Sequence, residues 1–511
     1  MSSSLSLFFR AVLAVLLMIA FYALAIGLVA ALLYIPYAEW KHLGRIHRRT
    51  GVACIVGAGV IIYALFPRRD RFVAPGPLLT AKEHPELFDV IARVAADMGQ
   101  RMPAEVYLVS DLTAGVAQRG GIMGLGSRRV MFIGLALLRV LNVSEFRSVL
   151  AHEFGHFHGG DIMLGPWVYK TRAAVERMLS TLEDNLPEKK NRVYTMLVLL
   201  QKPFRFYAWG FLRITRAIAR REVLAADRLS AEVAGADMRV DSLRLTYCCD
   251  LVFDEYWSNE ATPPVSIGYR PPLAEGFRRF MAAPAVARRA ARLLKMEMDE
   301  PSADPPHTHP PLRRRIAAVE QVPEKAIPLD ERPAIALLND VDEMEVRLIG
   351  HLLADEEAAR ELTPVSWDEV GEKAWIPIWG ERVEPYRDAL AGATPATILE
   401  LFRDLDAFAT RLRQCDRQHL PDEVRLDQAV SLLGTAVSLA LREKGCRVSM
   451  LPGEDVVFER DGESIKPFAL LDQLADNALT GDTWRQQCRA FGIADVPLGA
   501  VSAVRREIVF P

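Results

Sequence analysis

A stretch of 28 residues without a charged side chain, from Ala11 to Ala38, limits what the N-terminus of this chain can fold into. As a helix it is long enough to cross the roughly 30 Å hydrocarbon core of a bilayer. Tyr34, Tyr37 and Trp40 follow the pattern of an interfacial aromatic belt. A secretory signal peptide is the alternative, but it has a shorter apolar region followed by small residues at a cleavage site. The sequence therefore predicts a transmembrane helix at about 11–38.

A second uncharged stretch runs for 18 residues, from Thr50 to Pro67, between two pairs of arginines. This length is at the lower limit for a spanning helix, so a buried helix of a soluble domain is the alternative. Basic residues are matched on the two sides of the two predicted spans, and the positive-inside rule therefore gives no orientation. We expect a transmembrane hairpin within residues 1–74.

The pattern after the hairpin predicts an α+β fold that is mostly helical. Pro75, Gly76 and Pro77 indicate a linker, and a soluble domain is expected from 75 to 322. A C-terminal accessory domain is expected from 323 to 511. The predicted elements are helices at 85–98, 341–354 and 426–441, strands at 104–109 and 129–134, and a small β-meander at 448–465 with turns at Pro452-Gly453 and Asp461-Gly462.

The segment from Tyr194 to Ile218 is aromatic and apolar, but it contains Lys202, Arg205 and Arg213. Charged side chains at these positions make a membrane span costly. A helix at the membrane surface and an amphipathic helix packed on the soluble core remain as alternatives.

Composition and cysteine usage exclude some classes of protein. The net charge of -3 and the pI near 6.4 lack the basic surplus with which nucleic-acid-binding proteins neutralise phosphates. The six cysteines are scattered and form no CxxC pair, so we expect neither a cysteine zinc site nor a disulfide framework.

One short motif carries recognisable chemistry: His152, Glu153 and His156 form an HExxH sequence. On a helix, residues four apart lie about 40° apart around the axis, so both imidazoles can reach one metal ion. Asn142 and Glu145 have the spacing of a helix cap, and Gly159 is expected to end the helix. The alternative is a helix that carries two surface histidines and binds no metal. The motif predicts one zinc ion per chain, with Glu153 beside it as a general base.

A zinc site with two histidines needs a third protein ligand. In the short-spacer class of such proteins a histidine follows a glycine, but Ile162 stands at the position where it is required. In the long-spacer class a glutamate on a second helix is the ligand. Glu222, within the sequence Arg221 to Asp227, has the required placement, and we predict it as the third ligand.

Together these features resemble the HtpX and CAAX-prenyl-protease family of integral-membrane zinc endopeptidases. The resemblance covers about residues 1–320 and includes, in order, the hairpin, the HEFGH helix followed by Gly160-Asp161, the RE...AD segment and His309-Pro310-Pro311 ahead of Arg315. It implies proteolysis of membrane or misfolded polypeptides near the bilayer. It also implies an active site on the cytoplasmic side of the cell membrane.

The chain departs from this family at Asp227. An aspartate that orients a zinc-bound histidine usually lies four residues after the ligand glutamate, whereas Asp227 lies five residues after Glu222. On an ideal helix this rotates Asp227 by about 140° from Glu222. Either a π-bulge restores the geometry, or Asp227 does not support the ligand. Asp227 is also the competing candidate for the ligand itself.

The expected mechanism is attack of zinc-activated water on a peptide carbonyl, with Glu153 as general base and then as acid to the leaving amine. His309 and Arg221 are candidates for stabilising the oxyanion, with an ordinary structural role as the alternative. The strand at 129–134 could hold an extended substrate as an added edge strand.

A different class of function remains open: a membrane scaffold or receptor with a non-catalytic zinc site. In that case the C-terminal domain would bind a partner. On an active protease the same domain could recruit substrate, inhibit the site or mediate homo-oligomerisation. Glu153 favours the enzyme, because a purely structural zinc site has no need of it.

Overall fold

The computed structural model describes residues 2–65, 72–120, 126–157, 192–299, 309–415 and 426–501. Helices predominate, and small sheets complete the α+β fold that the sequence predicts. The α-helices are α1 (Ser2–Leu43), α2 (Arg48–Leu65), α3 (Pro85–Asp97), α4 (Leu135–Val140), α5 (Val143–Gly155), α6 (Arg192–Ala234), α7 (Ala236–Tyr256), α8 (Thr262–Ser266), α9 (Leu273–Ala282), α10 (Pro284–Asp299), α11 (Leu312–Val319), α12 (Val341–Leu353), α13 (Glu356–Glu361), α14 (Trp367–Val370), α15 (Ile376–Val383), α16 (Ile398–Arg403), α17 (Leu405–Cys415), α18 (Leu426–Glu443), α19 (Pro467–Ala475) and α20 (Gly481–Ala490). The strands are β1 (Leu78–Leu79), β2 (Glu105–Val109), β3 (Ala114–Arg119), β4 (Arg128–Gly134), β5 (Tyr269–Arg270), β6 (Thr363–Pro364), β7 (Arg447–Ser449), β8 (Val457–Arg460) and β9 (Glu463–Ile465).

Helix α1 contains the whole of the first predicted span. Within it, Val15–Leu43 is long and apolar enough to cross a membrane, and 17% of this window is buried. In α2 the apolar stretch is shorter, from Thr50 to Tyr63, and residues 66 and 67 of the second predicted span lie outside the described residues. Length and composition thus support membrane association through α1, although a signal sequence near an N-terminus has the same features.

The first half of α6 packs against α1 and α2. The Tyr207 hydroxyl donates a hydrogen bond to the Leu17 carbonyl oxygen, and Ala208 is buried in an apolar cluster with Phe21 of α1 and Ala58 of α2. The sequence predicts a helix at the membrane surface or a helix packed on the soluble core for residues 194–218. The structure instead packs this part of α6 against α1 and α2.

A four-stranded sheet lies before α5, with the strand order β1-β2-β4-β3. Both strands predicted in this region are present as β2 and β4, which pair in parallel, while β3 pairs antiparallel with β4. Strand β4 is therefore an interior strand. Its predicted role as the edge that accepts a substrate is wrong, because β3 already covers it on one side and β2 on the other.

The predicted linker at 75–77 is packed against this sheet. A Cβ on Gly76 would lie 1.8 Å from the Leu108 carbonyl oxygen, so no other residue fits without a backbone shift. The Leu108 N–H donates to the Pro77 carbonyl at 3.0 Å. The glycine at this position thus permits close approach of two backbones.

Two compact units make up the chain. One contains residues 1–109, 113–245 and 296–339, and the other contains 110–112, 246–295 and 340–511. The division by function at 74 and 322 stays a prediction. In the second unit the predicted meander is present as the antiparallel sheet β7-β8-β9, and Asp461 and Gly462 both have positive φ (54° and 85°), as a two-residue hairpin turn requires.

Candidate metal centre

Helix α5 carries the histidine pair, and a capping box fixes where it begins. The Asn142 side chain accepts the Glu145 backbone N–H, and the Glu145 carboxylate accepts the Asn142 N–H, both at 2.8 Å. The predicted cap is confirmed. The helix ends at Gly155 and His156 keeps helical φ and ψ, whereas the stop predicted at Gly159 lies outside the described residues.

His152 and His156 lie one above the other on α5. Their ring centroids are 4.8 Å apart and the ring planes are nearly perpendicular, at 80°. His152 is buried and His156 is half-buried. Two imidazoles at this spacing can bind one metal ion, as the sequence predicts.

Asp227 of α6 lies beside His152 despite its offset from Glu222. Its Oδ1 is 2.9 Å from His152 Nδ1, an ion-pair distance without the alignment of a full hydrogen bond. Asp227 is fully buried, and two guanidinium groups compensate its charge. Arg239 donates to Oδ1 at 2.6 Å, and Arg315 donates to both carboxylate oxygens at 2.9 Å. Such a bidentate contact holds the carboxylate plane in one orientation.

The ionisation of this cluster follows from burial and from these contacts. Burial lowers the pKa of His152 well below its usual value, and burial lowers that of His156 to about 4. Burial alone would raise the pKa of Asp227, but its contacts with His152 and Arg315 and the charge of Arg239 hold it well below its usual range. Both imidazoles are therefore neutral at pH 7, which is the form that binds a metal.

Glu153 points toward the neighbouring sheet. Its carboxylate accepts the backbone N–H of Val116 in β3, and burial raises its pKa to about 7 although Arg239 and Arg315 oppose the shift. The side chain itself keeps part of its surface exposed. A carboxyl group with a pKa near 7 can both accept and return a proton at neutral pH.

The same contact identifies the outward edge of β3. Gly134 N–H donates to the Thr113 carbonyl, so positions 113, 115, 117 and 119 face β4 in the antiparallel ladder. The backbone groups of Ala114, Val116 and Gln118 point the other way, toward the side on which Glu153 lies. In the described sheet, the strand beside Glu153 is thus an edge strand.

Arg315 also reaches the metal-binding face of the histidine pair. Its Nη2 lies 3.4 Å from Nε2 of His152, the ring nitrogen that faces away from Asp227. A protein cation thus sits close to the nitrogen that would ligate a metal.

The other predicted site residues, Glu222, Arg221 and His309, are all at least partly exposed. Glu222 is half-exposed and Arg221 is exposed on α6. His309 is exposed, and its charge contributes to lowering the pKa of His156, so it lies near the histidine pair. Within the described ranges, no three His, Cys, Asp or Glu side chains come together as a metal site. The residues fit a metal in part: two imidazoles and a proton-accepting carboxylate are assembled, and no third donor joins them among the described residues.

Sequence reasoning missed three groups of this centre. Arg239 gives no sequence signal, because its pairing with Asp227 depends on how α7 packs on α6. The Val116 N–H is a backbone donor that the sequence pattern cannot identify. Arg315 follows the His-Pro-Pro segment, and that position was the signal that could have placed it in the site.

Residues 81–322 match the profile of Peptidase family M48. The match contains every residue of the candidate centre and slightly less than half of the chain. Neither a curated protein nor a solved structure matches the chain. Residues 81–322 are therefore similar to an M48 peptidase domain, and this similarity supports a metallopeptidase function.

Proposed function

We propose that this chain is a membrane-anchored zinc endopeptidase that hydrolyses peptide bonds of membrane-associated or misfolded polypeptides. The observation that carries the proposal is that His152 and His156 lie on one face of α5, with Glu153 between them in sequence. Asp227 contacts Nδ1 of His152, so Nε2 is the nitrogen left to bind a metal. The M48 match supports the peptidase part of this proposal. The resemblance to HtpX-like and CAAX-prenyl proteases supports the assignment of zinc as the metal and of membrane-associated or misfolded polypeptides as the substrates.

The protein's own groups have definable tasks in this proposal. When bound, zinc would act as a Lewis acid toward the peptide carbonyl and lower the pKa of water. Asp227 holds His152 so that Nε2 faces the site. Glu153 accepts a proton from water and returns it to the leaving amine, while the Val116 N–H holds its carboxylate in place. His309 and Arg221 remain candidates for stabilising the oxyanion, and Glu222 remains the sequence-based candidate for the third ligand.

Strand β3 is the surface we assign to the substrate. Its outward backbone groups at Ala114 and Gln118, together with the Val116 carbonyl oxygen, can pair with an extended peptide. The Val116 N–H is held by Glu153, so the peptide would add a strand to the sheet beside that carboxylate. Pairing through the backbone is largely independent of side-chain identity, as degradation of varied polypeptides requires.

The membrane assignment rests on α1, whose apolar stretch Val15–Leu43 is long enough to span. We place the protein in the cell membrane as a multi-pass protein with α2 as a second span, and with the active site facing the cytoplasm, as the family resemblance implies. For the C-terminal residues 323–511 we propose a partner-binding or self-associating role.

The decisive experiment compares the full-length protein with its Glu153→Gln variant in detergent. We expect the wild type to cleave casein in a zinc-dependent manner, and we expect Glu153→Gln to lose this activity while its zinc content is unchanged, because the amide cannot accept a proton yet has nearly the same shape. Full turnover by Glu153→Gln would refute the proposal.

A second candidate function has one observation in its favour. The described residues assemble no third metal donor, and Arg315 lies 3.4 Å from His152 Nε2. A membrane scaffold needs no metal site equipped for hydrolysis, whereas a catalytic zinc site needs three protein ligands. Absence of peptidase activity in a wild-type protein of full zinc content would favour this reading.

A further inference from the structure

We propose that α6 presents Val223, and not Glu222, to the candidate metal site, so that the histidine pair receives no carboxylate ligand from this helix. The proposal rests on the proposed metallopeptidase site, because it takes His152 and His156 as the ligand pair. Its consequence is a site that binds zinc weakly and is occupied in proportion to the free zinc concentration.

Three contacts fix the register of α6 against α5. Ser230 Oγ donates to the Ser148 carbonyl oxygen at 2.7 Å, and Asp227 lies 2.9 Å from His152. At the end of α5, a Cβ on Gly155 would come within 2.9 Å of the Ala226 Cα, so the two backbones are nearly in contact. The helices are therefore antiparallel: each step along α5 toward His156 moves toward lower residue numbers on α6.

The face of α6 that meets α5 follows from these contacts. Its members are spaced by three and four residues, and all are buried: Val223, Ala226, Asp227 and Ser230. Three of the four, Ala226, Asp227 and Ser230, contact α5 as described above. Val223 continues this face by one turn beyond Asp227, in the direction of His156, and lies about 40° from Asp227 around the axis. A valine side chain has no atom that can bind a metal.

Glu222 lies off this face. It lies five positions before Asp227, which rotates it by about 140° on a regular helix. A π-bulge between the two residues would correct the rotation, but α6 is an unbroken α-helix from Arg192 to Ala234. Glu222 is half-exposed where Val223 is buried. The offset noticed in the sequence is thus retained in the fold.

The positive charges around the histidine pair also favour weak metal binding. Arg239 and Arg315 already surround the carboxylate of Asp227, and Arg315 lies 3.4 Å from His152 Nε2. A divalent cation bound to the histidine pair would add two positive charges beside the buried guanidinium of Arg239 and the half-buried guanidinium of Arg315. Without a carboxylate ligand from α6, this repulsion is opposed mainly by Asp227 and Glu153.

The test measures zinc affinity of the full-length protein in detergent by competition with a chromophoric chelator, which does not depend on catalysis. The variants are Glu222→Gln, Val223→Glu, Val223→Gln and His152→Ala. Val223→Gln controls for side-chain size, since it matches glutamate in shape and lacks the charge. We expect Glu222→Gln to change the zinc affinity by less than about 10-fold, the smallest loss typical even for a residue that only supports a ligand. We expect Val223→Glu to strengthen binding by more than about 10-fold and Val223→Gln to have no such effect.

Loss of affinity by about 10-fold or more in Glu222→Gln would overturn the inference, as would a Val223→Glu protein that folds and binds no better than wild type. If circular dichroism shows that Val223→Glu does not fold, the Glu222→Gln measurement decides alone. His152→Ala separates this inference from the proposed function. Unchanged zinc binding in that variant would place the metal elsewhere and refute the proposed site, whatever the result at Glu222.

Discussion

Gly155 lies so close to Ala226 that a methyl group at position 155 would come 2.9 Å from the Ala226 Cα. This contact joins the helix of the histidine pair to the helix of Asp227. Since His152 reaches Asp227 one turn earlier on α5, a change in the spacing of the helices also changes the contact between His152 Nδ1 and Asp227 Oδ1. The glycine within the HEFGH sequence therefore has a structural task in addition to the two histidines.

We predict that Gly155→Ala destabilises the protein by about 1 to 3 kcal/mol, the usual cost of overpacking a tight interface. It should also reduce peptidase activity, because the helices must separate to admit the methyl group. Gly210→Ala is the matched control: Gly210 lies on α6 with open space around its Cβ position, and alanine favours a helix. Denaturant unfolding of both variants in detergent checks the prediction. Equal stability of the two would show that the α5–α6 contact is less tight than described.

Asp227→Asn should affect both activity and stability. The variant leaves the buried guanidinium of Arg239 and the bidentate donor Arg315 without a charged partner, which typically costs about 3 kcal/mol or more. It also weakens the contact with a carboxylate that orients His152, and loss of such a support typically lowers activity or metal affinity by roughly 10 to 100-fold. Glu232→Gln, an exposed carboxylate on the same helix, is the control.

The zinc content of Asp227→Asn distinguishes two roles. If Asp227 positions His152, the variant keeps zinc at raised zinc concentration. Complete loss of zinc at every concentration would instead make Asp227 a ligand, and it would contradict the inference that α6 provides no carboxylate ligand.

Local features of this site could be predicted from the sequence, and tertiary features could not. The cap formed by Asn142 and Glu145 involves residues three apart, so its pattern is visible in the sequence and the structure confirms it. Strands β2 and β4 were also predicted, because their apolar residues are contiguous. Whether β4 is an edge depends on where β3 pairs, and that is decided by contacts between distant residues.

The register of α6 against α5 is another tertiary feature that could not be predicted from the sequence. The sequence reveals that Asp227 lies five residues after Glu222, but it leaves open which of the two faces α5. Contacts at Ser148 and Gly155 decide this, and they place Asp227 on the shared face. The pairing of Asp227 with Arg239 depends on a third helix and has no sequence signature.

Residues 1–67 are predicted to hold the protein in the membrane. High salt and alkaline carbonate should leave the wild type in the membrane pellet, because the apolar surface of α1 is far larger than that of an interfacial helix. Deletion of these residues should yield at most a peripheral protein that carbonate releases. Expressed protein recovered in the soluble fraction would contradict the spanning role of α1. N-terminal sequencing of that fraction would show whether the segment was removed as a signal peptide or is still present.

Glu345 is a buried carboxyl group outside the candidate site, and it should make the stability of the protein depend on pH. Glu345 on α12 accepts the backbone N–H groups of Leu273 and Ala274, at 3.1 and 2.9 Å, at the start of α9. Burial nevertheless raises its pKa from 4.5 to about 7. Between these two values the folded state binds more protons than the unfolded state, so the free energy of unfolding falls as the pH rises from about 4.5 to 7 and is constant above.

Glu345→Gln should remove the contribution of Glu345 to the fall in the free energy of unfolding between about pH 4.5 and 7, up to ~3 kcal/mol. Part of the slope should remain, because burial also raises the pKa of Glu260, in the same compact unit, to about 7. Glu343→Gln is the control, since its partner Arg360 lowers the pKa of Glu343 and thereby places its effect below pH 4.5. Tryptophan fluorescence during denaturant unfolding at pH 5, 6, 7 and 8 follows the difference. An equal slope in wild type and Glu345→Gln would mean that Glu345 keeps an ordinary pKa in the folded protein.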